Sequence, residues 1–335
     1  TVDEANDAVV FSGADVHVNN GQASTYVANS RGNLIIGFNE SSPNLTLERS
    51  GSHNLVMGAT NDYTGTGSIV TGQSNKMYAT EAIVTGANNV VNGIRSAVIG
   101  GNNNTAGGEM TVIIGGQQNV TSGNSVAIVG GSQNEAAGFA GAIIGGKGNE
   151  ANGLHVVLAG GNDNLAEGQN STVLGGSGHQ AEGFSDVILG GDLGSTDGMN
   201  SVVSGGYLNH ASGARTVIFG GNNNKTDSLV SGFDGFGIYG GKENIVFDGY
   251  LYGGRSNVNR GQNNLIVGGR GNEMLNSYDE EGNGVYNRWS VIVGGSNTIL
   301  PSTTSDFYTV IGQQNRSFIG TPAESNHIQT GPAND

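Results

Sequence analysis

Between Gly100 and Gly221 the alternation of apolar and polar positions keeps one period without a slip. Three apolar residues lead into a Gly-Gly pair; polar residues rich in Asn, a short second apolar step and another glycine follow. The pair returns at 100/101, 115/116, 130/131, 145/146, 160/161, 175/176, 190/191, 205/206 and 220/221, every 15 residues. Self-similarity at a fixed period marks a stacked repeat, each unit one coil that buries its apolar surface against its neighbours. With the second glycine of each pair as the zero position, the unit can be followed from Gly37 to Gly312 as 18 turns. Fifteen residues hold two short strands and two tight turns. The pattern therefore predicts an all-β chain folded as a parallel β-solenoid, a flattened β-roll of about 15 residues per turn.

Side chains alternate across a strand, which assigns columns to faces. The column four before the zero glycine (Ala97, Val112, Ala127, Ala142, Val157) and the column two before it (Ile99, Ile114, Val129, Ile144, Leu174) share one face. The column between them points the other way and is the most uniformly apolar: Val98, Ile113, Ile128, Ile143, Leu158, Val173, Ile188, Val203 and Ile218. Strands apolar on both faces are covered on both faces. The second strand of each turn offers little more than alanine, as at Ala106, Ala136, Ala151 and Ala166. Each large aliphatic buried contributes about 1.5–3 kcal/mol, against about 1–2 kcal/mol of backbone ordering per residue. A lone roll is thus weakly driven. One apolar face is expected to fill the roll and the other to pack against further copies of the chain, and the Val98 column is the core or the interface between copies.

Asparagine recurs three residues after the zero glycine, at Asn89, Asn104, Asn119, Asn134, Asn149, Asn164, Asn209 and Asn224, with His179 and Gly194 in the same column. Asn tolerates left-handed backbone and bonds neighbouring backbone, so the column predicts a corner ladder, weaker at His179 and Gly194. Glycines at 108, 123, 138, 153, 168, 183, 198 and 213 are expected at the opposite corner.

The regular roll spans residues 33–226. Residues 1–32 fall outside it; Ala8 to Phe11 and Val16 to Val18 read as strands that cap the first coil, since a stacked repeat ends in unpaired backbone. Over 227–320 the spacing loosens and aromatic and acidic insertions enter, and 321–335 reads as a polar tail. Insertions in solenoids emerge as loops and carry binding. The longest holds Tyr278, Asp279, Glu280, Glu281, Tyr286 and Trp289, the candidate ligand loop.

Charge and composition then narrow the classes. The net charge of -15 gives no basic footprint for nucleic acid or anionic membrane. Apolar runs of four or five residues are too short for a membrane helix, and the chain is expected not to insert in a membrane. With 61 glycines but no Gly-X-Y triplet and only 4 prolines, collagen does not fit. The absence of cysteine removes disulfides and thiolate metal sites. The first residues carry no basic, apolar leader, as expected of a processed chain.

Units such as Ser125-Val126-Ala127-Ile128-Val129-Gly130-Gly131-Ser132-Gln133-Asn134-Glu135-Ala136-Ala137-Gly138 resemble the head repeats of trimeric autotransporter adhesins over residues 33–320. Here the period is mostly 15 rather than 14, Gly-Gly replaces a single Gly, and Asn stands where Ala or Ser is usual. The resemblance implies a left-handed parallel β-roll, three chains side by side as a homotrimer, and a non-enzymatic adhesin at the cell surface or outside the cell, binding matrix or other cells; polysaccharide is the further ligand class to weigh.

The six histidines fall at unrelated repeat positions without paired ligand spacing. Every Gly-Gly leads into more strand, whereas a phosphate loop needs a following helix. No nucleophile is paired with a base in the sequence, and an enzyme is not expected. No cofactor is expected either, with calcium the one metal to weigh. Glu167, Glu182 and Asp197 share a column six after the zero glycine, where stacked like charges either splay into solvent or bridge a cation, and splaying is the expectation. The loop at Asp279 to Asn283 is the second cation candidate. Three functions follow: an adhesive surface fibre, a filament subunit that stacks end to end, and a phage fibre domain whose Tyr278, Tyr286 and Trp289 stack on sugar.

Overall fold

The structure is a computed structural model that describes residues 2–3, 8–9, 11, 13, 15–41, 46–227, 235–260, 263–275, 277–278, 284–285, 289–300, 308–312 and 327–330. It is all-β among the described residues and forms two compact units, residues 1–130 and 131–335. Each is a parallel β-solenoid whose turns contribute one strand to each of two sheets.

In the second unit Ala142–Ile144 pairs in parallel with Val157–Ala159, which pairs with Thr172–Leu174, so every residue meets its equivalent 15 residues on. The other sheet stacks Glu135–Ala136, Glu150–Ala151, Leu165–Ala166 and their successors in the same register. The first unit repeats the plan, with a shorter turn over part of it: Leu55 pairs with Ile69 and Ile69 with Ile83, 14 residues apart, before Ala97 pairs with Val112 at 15.

A half-turn of seven residues underlies both spacings. Left-handed backbone occurs at Thr60, Gly67, Ser74, Glu81, Asn88 and Arg95, every seventh residue, then at Asn103, Met110, Gln118 and Ser125, where steps of eight and seven alternate. The inserted residue is the first glycine of the pair: the Gly115 N–H donates to the Ile99 carbonyl, and Gly115 has positive φ with open space where a Cβ would stand. The second glycine has a different reason to exist. A Cβ on Gly101 would fall within 3.0 Å of the Gly116 carbonyl and of Asn104 Nδ2, so only glycine lets the turns stack. Glycines of the other corner, such as Gly108, are likewise crowded by the next turn's backbone rather than left-handed.

The inner side of the roll is settled by burial. Val98, Ile113 and Ile128 in the first unit, and Ile143, Leu158, Val173, Ile188, Val203 and Ile218 in the second, are buried in the core. Alanines of the other sheet (Ala136, Ala151, Ala166, Ala181, Ala211) complete it.

The asparagine column also faces inward, which corrects the expected reason for it. None of the ladder asparagines from Asn89 to Asn224 has positive φ; the left-handed residue is the one before, such as Asn88, Asn103 or Asn223. The asparagines are buried and span the turns: the Asn164 N–H donates to Asn149 Oδ1 at 3.1 Å, and Asn149 Nδ2 donates to the Gly161 carbonyl at 3.3 Å. Asn104 accepts likewise from the Asn119 N–H at 2.9 Å, and Asn134 from Asn149 at 3.0 Å. His179 keeps the ladder rather than weakening it. Its N–H donates to Asn164 Oδ1 at 3.0 Å and its Nδ1 accepts the Gly194 N–H at 2.9 Å. The gap lies at Gly194, which has no side chain to offer the next turn.

At the chain's start Ala8–Val9 pairs antiparallel with Val2–Asp3, and no strand forms at Val16 to Val18. Within the segment read as a tail, His327–Thr330 lies parallel to Tyr308–Ile311.

Candidate functional site

The two outer faces of the second unit differ in chemistry, and the difference follows from strand alternation. With Ile143 and its equivalents turned inward, Ala142, Val157, Thr172, Val187, Val202 and Val217 must face out, beside Ile144, Ala159, Leu174, Leu189, Ser204 and Phe219. No charge interrupts these columns. Ile144 is 54% exposed and Phe219 47%, values characteristic of surface side chains rather than a core. Solvent-exposed apolar rows of this length on a regular sheet mark an interaction surface.

The apolar column continues as an aromatic stack. Phe219 and Tyr239 lie 5.3 Å apart between ring centroids, and Tyr239 and Tyr252 4.5 Å apart at an interplanar angle of 4°. Parallel register places these rings one above another, because Phe219 pairs with Tyr239 and Tyr239 with Tyr252. Burial against its neighbours pushes the Tyr239 hydroxyl up, with Tyr252 and Tyr250 adding to the rise. Counting the same column past Gly221 in the sequence finds this stack, but the loosened spacing hides it.

The opposite face is polar and acidic. Glu167, Glu182 and Asp197 stand exposed on successive turns. Asp197 turns to His210, Oδ2 to Nε2 3.7 Å, and Lys225 pairs with Asp227 at 2.8 Å. Among the described residues no three His, Asp or Glu side chains gather closely enough to hold a metal ion.

One pairing here overturns a reading of the sequence. Ser195 Oγ lies 2.6 Å from His210 Nδ1, so a hydroxyl and a base do meet, brought together by the register that sets Ser195 opposite His210. The trio Ser195, His210 and Asp197 has the residue types of an acyl-transfer triad, but the 3.7 Å between His210 Nε2 and Asp197 Oδ2 exceeds a hydrogen bond. The Ser195, His210 and Asp197 N–H groups donate to the Asn209, Asn224 and Ala211 carbonyls, so these three are engaged in the sheet.

Of the candidate ligand loop, Asp279, Glu280, Glu281 and Tyr286 lie outside the described residues. Ser277–Tyr278 pairs antiparallel with Gly284–Val285. Trp289 occupies a left-handed corner position and is 54% exposed.

A second polar column, invisible as a repeat because its residue types vary, lines the corner opposite the asparagines: Ser96, Thr111, Ser171, Asp186, Ser201 and Thr216, all buried. The Thr111 N–H donates to Ser96 Oγ at 3.0 Å and the Ser201 N–H to Asp186 Oδ1 at 2.8 Å, the same turn-to-turn bond that asparagine makes across the roll.

These features define a parallel β-solenoid repeat protein with one apolar and one acidic outer face on its second unit. No protein-family model matches the chain and no curated protein does.

Proposed function

We propose that the chain is a non-enzymatic structural or adhesive scaffold of the extracellular space or cell surface, which associates with its own copies through the apolar face of its second unit. The uncharged row from Ile144 to Tyr252 carries this reading. An apolar surface of that regularity is disfavoured in water, and each large side chain withdrawn from solvent contributes about 1.5–3 kcal/mol. A parallel sheet in regular register presents the same surface on every copy, and closed symmetry then limits the assembly. The head-repeat resemblance supports three copies as the closed form and an extracellular setting. In the assembled fibre the acidic face and the exposed Trp289 remain outward, available to a matrix, cell-surface or polysaccharide ligand.

Light scattering on the purified chain tests the association. A folded species at a whole multiple of the 34.0 kDa chain mass is expected, three copies for the closed form. A folded monomer at micromolar concentration overturns the reading.

End-to-end growth into a filament is the second reading, favoured by the sheet edges that parallel stacking leaves at each end. Negative-stain micrographs separate it from discrete trimers.

A further inference from the structure

Asp186 occupies a position that the fold fills elsewhere with hydroxyls. At equivalent places Ser96 Oγ donates to the Gly108 carbonyl at 2.8 Å and Ser201 Oγ to the Gly213 carbonyl at 2.6 Å, in each case 12 residues on. The corresponding acceptor for Asp186 is the Gly198 carbonyl. Asp186 Oδ2 and the Gly198 oxygen both lie within 3.0 Å of the point where a Cβ on Gly183 would stand. Ser201 Oγ and the Gly213 oxygen crowd the equivalent point at Gly198 in the same way. Oδ2 is therefore in the hydroxyl's place, aimed at the hydroxyl's acceptor. It is buried and makes no hydrogen bond, whereas Oδ1 holds the Ser201 N–H.

A serine at this position both accepts an N–H and donates an O–H. A carboxylate can do only the first; a carboxylic acid can do both. We propose that Asp186 is a proton-operated rung of the solenoid: protonated, its Oδ2–H bonds the Gly198 carbonyl and ties adjacent turns together, and ionised, that bond is replaced by the repulsion of two buried oxygens.

The surroundings favour the protonated form. Burial pushes the Asp186 carboxyl up to about 6, against the pull of the Ser201 N–H, and Asp197 on the next turn pushes the same way as burial. The other titratable groups of the flanking turns face elsewhere: Glu167, Glu182 and Asp192 are exposed, and His179 lies in the asparagine ladder across the roll. Thr196 stands to Asp186 as Thr121 stands to Thr111 and Thr226 to Thr216, ten residues on. Those two pairs bond at 3.0 and 3.1 Å, while Thr196 Oγ1 completes no bond. Ser171, one turn before Asp186, also leaves its hydroxyl unpartnered. With the missing side chain at Gly194, both corner ladders are incomplete within the same few turns. Protonation therefore acts on a locally weak segment.

The test is amide exchange at Ser201 in the folded chain, corrected for intrinsic rates, in the wild type and in Asp186→Asn. The amide of that variant accepts and donates at every pH. The ratio of the two cancels the opposing titration of His179. Between pH 8 and pH 4 the wild type is expected to gain about 50-fold in protection relative to the variant, as follows from a carboxyl raised by about two units. A constant ratio overturns the proposal. Carbon-detected titration of the wild-type Asp186 carboxyl gives an independent reading should the variant not fold: a midpoint near 6 is expected, and one near 4 overturns it.

Discussion

His179 Nδ1 accepts the Gly194 N–H at 2.9 Å across one full turn, the bond that an asparagine Oδ1 makes on most other turns. The acceptor role fixes the tautomer: Nδ1 carries no proton, so the hydrogen of the neutral ring is on Nε2. That nitrogen lies toward the Gly191 carbonyl without completing a hydrogen bond. Burial holds His179 below the usual imidazole range, outweighing the charge of Asp192. A protonated ring would lose the rung to Gly194.

The sign of the pH effect follows. Above about 6.5 both folded and unfolded chains carry a neutral ring and the rung is intact. As pH falls through that value the unfolded chain binds the proton first, and stability declines until the folded value is reached. Replacement by the residue that the ladder otherwise uses, His179→Asn, is expected to abolish this component of acid destabilisation while leaving the fold intact at pH 8. His179→Ala strands the Gly194 N–H and is expected to cost about 1–3 kcal/mol at pH 8. Denaturant titrations of both variants at pH 8 and pH 5 check the assignment; a histidine variant whose pH profile matches wild type would refute it.

The fold was legible in the sequence because the repeat imposes the same environment on every turn, so that columns rather than single residues carry the signal. Which apolar face closes the roll was harder to see, since Val98 and its flanks Ala97 and Ile99 are all apolar. A parity signal was nevertheless present. Asn104 and Ala106 are two apart and both buried, as are Thr111 and Ile113. A column of asparagine held inside therefore fixes the inward face of the strand that follows. The left-handed corners left no such trace, because Met110, Ala140, His155, Leu193 and Arg215 all occupy them. The stacking of turns, not residue preference, enforces that backbone. The meeting of Ser195 with His210 depends on register across turns and could not be read from local spacing.

The ladder's energetic weight can be measured at one rung. Asn149 accepts the Asn164 N–H and donates to the carbonyls of Gly161 and Gly145, at 3.3 Å in both cases. Asn149→Ala removes the acceptor of the Asn164 N–H and the Nδ2 donor to the Gly145 carbonyl, while the Gly161 carbonyl keeps the Lys147 N–H. A loss of about 1–3 kcal/mol for each stranded group is expected. A change within 0.5 kcal/mol in urea unfolding, about the scale of an ordinary surface substitution, would show the ladder to be ornamental.

The two glycines of a pair are expected to respond unequally. Gly160 has open space at its missing side chain, so Gly160→Ala costs only the left-handed backbone, about 1–2 kcal/mol. At Gly161 the added carbon would fall within 3.0 Å of the Gly176 oxygen and of Asn164 Nδ2, so adjacent turns must separate. Thermal unfolding should rank Gly161→Ala well below Gly160→Ala, and equal melting temperatures would refute the assignment of the first glycine as the inserted residue.

Core and surface substitutions should separate folding from assembly. Leu158 is fully buried, and Leu158→Ala is expected to destabilise each chain by about 2–5 kcal/mol. Leu174 and Leu189 face solvent at 43% and 40% exposure, and the double change Leu174→Ser with Leu189→Ser removes apolar surface without opening a cavity. That double variant should keep the parallel-sheet circular dichroism spectrum and lose mass by light scattering at matched concentration, as copies dissociate. If it unfolds, the row contributes to the chain's own stability and the faces have been misassigned. If it stays folded at the wild-type mass, association runs through another surface, with the acidic side of the second unit the next place to substitute.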